Sequence, residues 1–148
     1  MLIETIKALC ALDGVSSWEE EVRAWIKEQA APYADEMRVD AMGSLIVFKK
    51  GRKATGNKLL LAAHMDEVGL IVRAITDNGY LKFSCVGGID RRVLIGKQVS
   101  VGRKKIPGII GLKAYHLGSQ EEEKRTSKVQ DLYIDIGARD RESAQALV

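Results

Sequence analysis

The part of this chain that decides the fold is residues 59–67, which read Leu59-Leu60-Leu61-Ala62-Ala63-His64-Met65-Asp66-Glu67. Its five apolar residues give way abruptly to an imidazole and two carboxylates. An apolar run of this length predicts a β-strand buried on both faces of a sheet. Open α/β sheets bind ligands just beyond the carboxyl ends of such strands. We therefore expect an α/β fold that presents His64, Asp66 and Glu67 where this architecture performs chemistry.

The alternation within this stretch groups its polar side chains. In an extended chain, His64 and Asp66 point to one side and Glu67 points to the other. A histidine that binds a metal ion usually donates its second ring N–H to a carboxylate, which fixes the ring tautomer. The spacing therefore indicates a metal-binding or catalytic role for His64 and Asp66. The alternative is a structural histidine that is hydrogen-bonded at the end of a strand.

Composition limits the classes to which the protein can belong. The chain has 148 residues, 46% of them hydrophobic, which is ordinary for a globular domain or for parts of two. A net charge of +3 gives no reason to expect a nucleic-acid or membrane partner. The start of the chain lacks the basic region and apolar core of a signal peptide, and no apolar run reaches transmembrane length. We expect a cytoplasmic protein, with Cys10 and Cys85 as buried free thiols.

The first 67 residues predict the start of an α/β domain. Apolar residues at helical spacing predict a first helix that ends near Asp13-Gly14. Ser17 and Glu20 form the pattern of a capping box for a second helix, which Pro32 ends. Two strands are then predicted at residues 37–40 and 45–48, before the apolar strand at 59–63.

Residues 68–148 have the pattern of a small β-barrel or sandwich. Short predicted strands are separated by glycine-containing turns, the clearest being the hairpin turn Asp77-Asn78-Gly79. The strands are expected at residues 69–74, 80–84, 98–101, 109–110 and 132–136. A helix is predicted to begin at Asp140, which can cap it. Because that helix stops after about two turns without a capping glycine, we interpret Val148 as a cut in a longer chain, with the β domain incomplete.

The remaining polar clusters have simpler interpretations. His116 is predicted to be a hydrogen-bonded loop histidine rather than a ligand, and Asp135 a surface or turn residue. Residues 90–92 and 121–125 are predicted to be solvated turns or contact surface. The basic turn at 49–53 is the sole support for a nucleic-acid-binding barrel, and no aromatic platform accompanies it.

Four stretches of the sequence resemble a known family. They are Asp40-Ala41-Met42-Gly43-Ser44-Leu45-Ile46-Val47, Ala63-His64-Met65-Asp66-Glu67-Val68-Gly69, Ile106-Pro107-Gly108-Ile109-Ile110-Gly111 with His116-Leu117, and Leu132-Tyr133-Ile134-Asp135-Ile136-Gly137-Ala138. In this order they resemble the amino-terminal part of the TET-type metallo-aminopeptidases, which include glutamyl aminopeptidases and proteins once labelled endoglucanases or cellulases. One departure is Ser44, where such proteins usually carry Asn, a conservative change in a turn.

The resemblance implies a fold and an activity. It implies an α/β catalytic domain, begun by residues 1–67, that is interrupted by an inserted β-barrel domain at 68–148 used in dimer contacts. It implies a hydrolase that holds two divalent metal ions, zinc or cobalt, removes amino-terminal residues from peptides and forms large homo-oligomers. By position, His64 would be a metal ligand and Asp66 the catalytic carboxylate that orients it. No organic cofactor is implied.

The resemblance also exposes what the chain lacks. A two-metal hydrolase needs a bridging carboxylate, further ligands and a general base, which the family carries downstream of its barrel. Nothing after Asp66 supplies them here. The main hypothesis is therefore a metallo-aminopeptidase whose 148-residue portion is inactive alone. The alternative is a non-catalytic β-barrel fragment that mediates assembly. A coding sequence that continues past Val148 with clustered Asp, Glu and His would favour the first.

Overall fold

The computed structural model describes residues 2–53, 56–112 and 128–148. The chain forms two compact units, one ending at Glu67 and the other beginning at Val68. None of the helices in these described ranges has the length and apolar character needed to cross a membrane. His116 and the charged residues 121–125 lie outside the described residues.

The helices of the first unit are α1 (Leu2–Cys10) and α2 (Glu20–Ala30), followed by a 3-10 turn that contains Pro32. Both predicted helices are confirmed. The predicted capping box is wrong, because α2 begins after Glu19 and no side chain caps it. Ser17 instead lies in a turn with φ +71°, and its backbone N–H donates to Glu19 Oε1 at 2.7 Å. Glu19, and not Ser17, is therefore the residue at the N-cap position.

The hairpin of the first unit consists of β1 (Glu36–Val39) and β2 (Leu45–Phe48), which pair antiparallel. Asp40 organises the turn, because its Oδ1 accepts the backbone N–H groups of Met42 and Ser44, each at 2.9 Å. Gly43 supplies the positive φ of +87° that the turn requires. The predicted hairpin is thus confirmed. Ser44 donates to Asp40 through its backbone N–H, and its hydroxyl also helps to lower the pKa of Asp40.

The predicted buried strand at residues 59–63 is wrong for the described chain. Leu59, Leu60 and Leu61 belong to no strand, and each is 85–87% exposed. A central strand needs a hydrogen-bonded neighbour on each edge and a packed layer on each face. The strands described in this unit, β1 and β2, pair with each other and leave 59–63 without such neighbours. Helices and sheet occur together as expected, but the described residues build no central α/β sheet.

The second unit is built on one antiparallel sheet. Its strands are β3 (Gly69–Ile75), β4 (Leu81–Val86), β5 (Gln98–Val101), β6 (Ile106–Gly111) and β7 (Tyr133–Asp135). Their order across the sheet is β3-β4-β7-β6-β5. The strands predicted from glycine spacing are confirmed, as is the hairpin turn, where Gly79 has φ +80°.

Of the small barrel or sandwich that was expected, the described residues form a curled half-barrel sheet. Closure requires the two outer strands to pair, and β3 and β5 do not pair with each other in the described residues. The third helix, α3 (Arg141–Leu147), helps to cover the core instead. Its Ala144 is fully buried in the apolar cluster of the sheet, whose least exposed members are Leu81, Ile110, Leu132 and Ile134.

The ends of α3 are both satisfied by side chains. Asp140 caps the start, since its Oδ1 accepts the Ser143 backbone N–H at 2.8 Å, which confirms the predicted cap. Lys104 Nζ donates to the carbonyl oxygens of Ala146 and Leu147, each at 3.2 Å. Lys104 thus satisfies the last carbonyl groups of the helix, as a glycine cap would otherwise do.

Three smaller expectations have clear outcomes. Cys10 and Cys85 are free, as predicted, but neither is fully buried: Cys10 is exposed because α1 buries none of its residues, and Cys85, in β4, is half-buried. Asp135 is the predicted turn residue, its Oδ1 accepting the Gly137 N–H at 2.8 Å. Asp90 caps a solvated 3-10 turn, and its hydrogen bonds with the Arg92 guanidinium and backbone lower the Asp90 pKa to about 2.

Two glycines allow a matched test of packing in the second unit. A Cβ on Gly108 would lie 2.6 Å from Ile134 Cγ2, whereas a Cβ on Gly88 would meet nothing within 4 Å. Gly108→Ala should lower the free energy of unfolding by about 1–3 kcal/mol, as overpacking does. Gly88→Ala should change it by less than about 0.5 kcal/mol.

The measurement is hydrogen exchange at the Ile110 amide, which donates to Lys97 O at 2.9 Å within this unit. Equal protection in the two variants would show that β6 and β7 are not packed as closely as described.

Candidate functional site

The segment that carries His64 and Asp66 is held by the connection between α1 and α2. Glu67 N donates to Gly14 O at 2.6 Å, and Val15 forms an isolated parallel bridge with Glu67. Ser16 Oγ donates to Asp66 Oδ2 at 2.6 Å. These contacts join residues about fifty positions apart in sequence. They hold the segment in place although it belongs to no sheet.

Gly14 makes this close approach possible. The residue is buried, and a Cβ there would lie 2.9 Å from Val22 Cγ2 and 3.4 Å from the carbonyl oxygen of Met65. Val22 is the buried apolar residue of α2, at 6% exposure. The sequence pattern predicted only that Gly14 helps to end α1. Its role beneath the 64–67 segment depends on tertiary contacts, and the spacing of residues in the sequence does not predict it.

The structure brings His64 and Asp66 together. His64 Nδ1 lies 2.9 Å from the backbone oxygen of Asp66 and 3.0 Å from its Oδ1. A carbonyl oxygen and an ionised carboxylate oxygen can only accept hydrogen bonds. Nδ1 must therefore carry the proton when the ring is neutral, which leaves the Nε2 lone pair free. The His64 side chain is 84% exposed, so Nε2 is open to a ligand.

The electrostatics of Asp66 agree with its role as an acceptor. The Ser16 hydroxyl hydrogen bond is the largest influence on the Asp66 pKa and lowers it, and the hydrogen bond with His64 lowers it further. Partial desolvation opposes both but does not reverse the direction. Asp66 is thus a carboxylate at neutral pH, with each of its oxygens facing one donor. Glu67 joins the arrangement through its backbone N–H.

The cavities add little to this site. A cavity of about 180 Å³ borders His64, and half of its other lining residues are side chains of α1 and α2. A cavity of about 790 Å³ lies in the second unit along β5, β6 and β7. Its one carboxylate, Asp135, accepts a hydrogen bond from the Gly137 backbone. Among the described residues, the titratable groups that suit catalysis are therefore those of His64 and Asp66.

His64 and Asp66 can supply one ligand to a metal ion but cannot form a complete metal site by themselves. His64 has the free Nε2 and the carboxylate partner that metal-binding histidines show. In the ranges that the structure describes, no group of three or more His, Cys, Asp or Glu side chains could hold a metal ion. Catalytic zinc sites use about three protein ligands.

The ring tautomer of His64 can be tested directly. At about pH 8, where an ordinary imidazole is neutral, the Nδ1–H tautomer should predominate in the metal-free protein. Long-range proton–nitrogen spectra distinguish a protonated ring nitrogen from an unprotonated one. His116, the second histidine of the chain, is an internal reference, and His64→Gln assigns the signals. A predominant Nε2–H tautomer would contradict the geometry described here.

Known proteins resemble this chain in both sequence and structure. The model of the M42 glutamyl aminopeptidase family matches residues 43–148. A putative aminopeptidase of Acetivibrio thermocellus is 40% identical over 147 residues, which cover 99% of this chain and 42% of the relative.

Two solved structures have the same fold. The TET aminopeptidase of a Thaumarchaeota archaeon from marine sediment superposes with a TM-score of 0.87 at 39% identity, covering 98% of this chain and 41% of that one. The TET1 peptidase of Pyrococcus horikoshii, described as able to assemble into a tetrahedron or a large octahedral shell, has a TM-score of 0.82 at 41% identity, covering 100% and 44%. The chain thus spans about two fifths of the length of these relatives. With most of its residues matched by the family model, the chain belongs to the M42 family of glutamyl aminopeptidases.

Proposed function

We propose that this chain is the amino-terminal part of a metal-dependent aminopeptidase, which hydrolyses the first peptide bond of its substrates. The family assignment supports this activity, since the relatives are named aminopeptidases. The observation that carries the proposal is the pairing of His64 with Asp66, in which Nδ1 faces two acceptors and Nε2 remains free. The alternative, a non-catalytic assembly fragment, is not favoured by these relatives.

His64 is proposed to bind one of two divalent ions, zinc or cobalt, through Nε2. Asp66 is proposed as the catalytic carboxylate that orients the ring and raises its basicity. A bound divalent ion would polarise the peptide carbonyl and lower the pKa of a water molecule. The other ligands and the general base would lie outside the described residues, which contain no group of three donors. The 148 residues alone should accordingly show no aminopeptidase activity.

The same proposal accounts for the exposed leucines. In the complete protein, residues 1–67 would begin an α/β catalytic domain, interrupted after Glu67 by the 68–148 unit. Leu59–Leu61 would then lie within the central sheet of that domain. These three side chains are 85–87% exposed in this chain, and neighbouring strands of the complete domain would cover them.

We further propose that the complete protein is a cytoplasmic homo-oligomer that contacts its copies through the 68–148 unit. The assembly described for the Pyrococcus horikoshii TET1 peptidase supports this proposal. No nucleic-acid or membrane partner is proposed. Lys49, in the basic turn, forms an ion pair with Asp35 at 3.6 Å, as a solvated surface turn commonly does.

The ligand role of His64 is tested by His64→Ala in the complete peptidase. The variant should lose one metal equivalent and nearly all activity, because one ligand of the metal site is removed. Stability should change little, since the side chain is 84% exposed and such surface changes usually stay within about 0.5 kcal/mol. Bound zinc is measured by atomic emission and turnover with amino-acid p-nitroanilides. Full metal content with normal turnover would reduce His64 to a structural residue.

The role of Asp66 is tested by Asp66→Asn in the same protein. An amide keeps the size of the side chain but loses the charge that orients the imidazole. The variant should retain some metal and lose about 10–100-fold in activity or metal affinity. Asp35→Asn, at an exposed aspartate of the same unit, is the matched control and should behave like the wild type. Unchanged zinc affinity and rate in Asp66→Asn would contradict the proposed role.

A further inference from the structure

We propose that Ser16 is a positioning residue for the metal site, a role that rests on the proposed function of His64. The Ser16 hydroxyl anchors one oxygen of Asp66, and the other oxygen is thereby left to orient the His64 ring. Ser16 lies in the connection between α1 and α2, where the sequence pattern predicted no site residue.

The two oxygens of the Asp66 carboxylate face different side chains. Ser16 Oγ donates to Oδ2 at 2.6 Å, and His64 Nδ1 lies 3.0 Å from Oδ1. An O–H···O⁻ distance of 2.5–2.7 Å is typical of a charge-assisted hydrogen bond, which is about twice as strong as a neutral one. Ser16 therefore holds the rotation of the carboxylate about its Cβ–Cγ bond, and the plane of the carboxylate determines where Oδ1 can accept.

The imidazole is oriented by Asp66 through two acceptors, the carboxylate Oδ1 and the backbone oxygen. Both oxygens that approach His64 Nδ1 belong to Asp66, and the His64 side chain is 84% exposed. Ser16 and Asp66 are half-buried. A solvent-facing ring is thus hydrogen-bonded to a more enclosed pair of side chains. Loss of the serine hydroxyl would leave Oδ2 to water and free the carboxylate to turn away from the ring.

Ser16 is itself placed by rigid backbone. Val15, immediately before it, forms the bridge with Glu67 and accepts the Trp18 N–H at 2.7 Å. Ser17, immediately after it, has φ +71°, a left-handed conformation that costs a non-glycine residue about 1–3 kcal/mol. Such a conformation persists only where surrounding contacts determine it. The backbone of this turn therefore determines the position from which Ser16 donates to Asp66.

The test compares Ser16→Ala with the matched control Ser17→Ala, which removes the neighbouring hydroxyl from an exposed residue. The first readout needs no metal: the fraction of the Nδ1–H tautomer of His64 in the metal-free chain. The second is zinc affinity, measured by competition with a chelator in the complete peptidase. Ser16→Ala should lower the tautomer fraction and weaken zinc binding about 10-fold, the lower end for outer partners of a metal ligand. Ser17→Ala should change neither.

A double-mutant cycle shows whether Ser16 acts through Asp66. In an Asp66→Asn background, Ser16→Ala should cause no further loss of zinc affinity, because the group that it positions is already altered. A purely structural serine would instead lower the unfolding midpoint in both backgrounds and leave the tautomer unchanged, which would overturn the proposal.

The outcomes separate this inference from the proposed function. An unchanged tautomer in Ser16→Ala, together with loss of zinc in His64→Ala, would refute the role of Ser16 and leave His64 as a ligand. Undiminished zinc binding in His64→Ala would refute the ligand role itself, and with it the positioning of a metal site by Ser16.

Discussion

The candidate site of this protein depends on one set of hydrogen bonds between residues 14–16 and residues 66–67. The bond from Glu67 N to Gly14 O, at 2.6 Å, aligns the two backbones, and the bond from Ser16 Oγ to Asp66 Oδ2, also at 2.6 Å, aligns the side chains. The absence of a Cβ on Gly14 permits the approach. Without these contacts the segment that carries His64 would be an exposed extended chain, because no described strand pairs with the leucines that precede it.

These bonds have a chemical consequence at the imidazole. A carboxylate whose two oxygens face different side chains keeps a defined plane. Its Oδ1 and the backbone oxygen of Asp66 both accept at His64 Nδ1, so Nδ1 carries the proton of the neutral ring. The Nε2 lone pair is then free, and in the proposed metal site it would bind the metal ion. The half-buried Ser16, in the connection between α1 and α2, therefore helps to orient the exposed His64 ring through Asp66.

The two units differ in how much of their apolar surface they bury. The second unit packs Leu81, Ile110, Leu132 and Ile134 into one core and covers it with α3. The first unit has Val22 as its one buried apolar residue among those described, while three consecutive leucines remain exposed. Burial of apolar surface is the main favourable term in folding. The first unit should therefore gain more stability from further protein packed against it than the second.

Local chemistry determined the features that the sequence predicted correctly. The turn at Asp40, the hairpin at Gly79 and the cap at Asp140 each depend on residues within a few positions, so their patterns predict them. The proximity of His64 and Asp66 follows in the same way from their spacing. Tertiary structure alone decided that Leu59–Leu61 are exposed, that the sheet stays open and that Ser16 reaches Asp66. Strand pairing and contacts between distant residues depend on which parts of the chain meet after folding, and no local pattern records that.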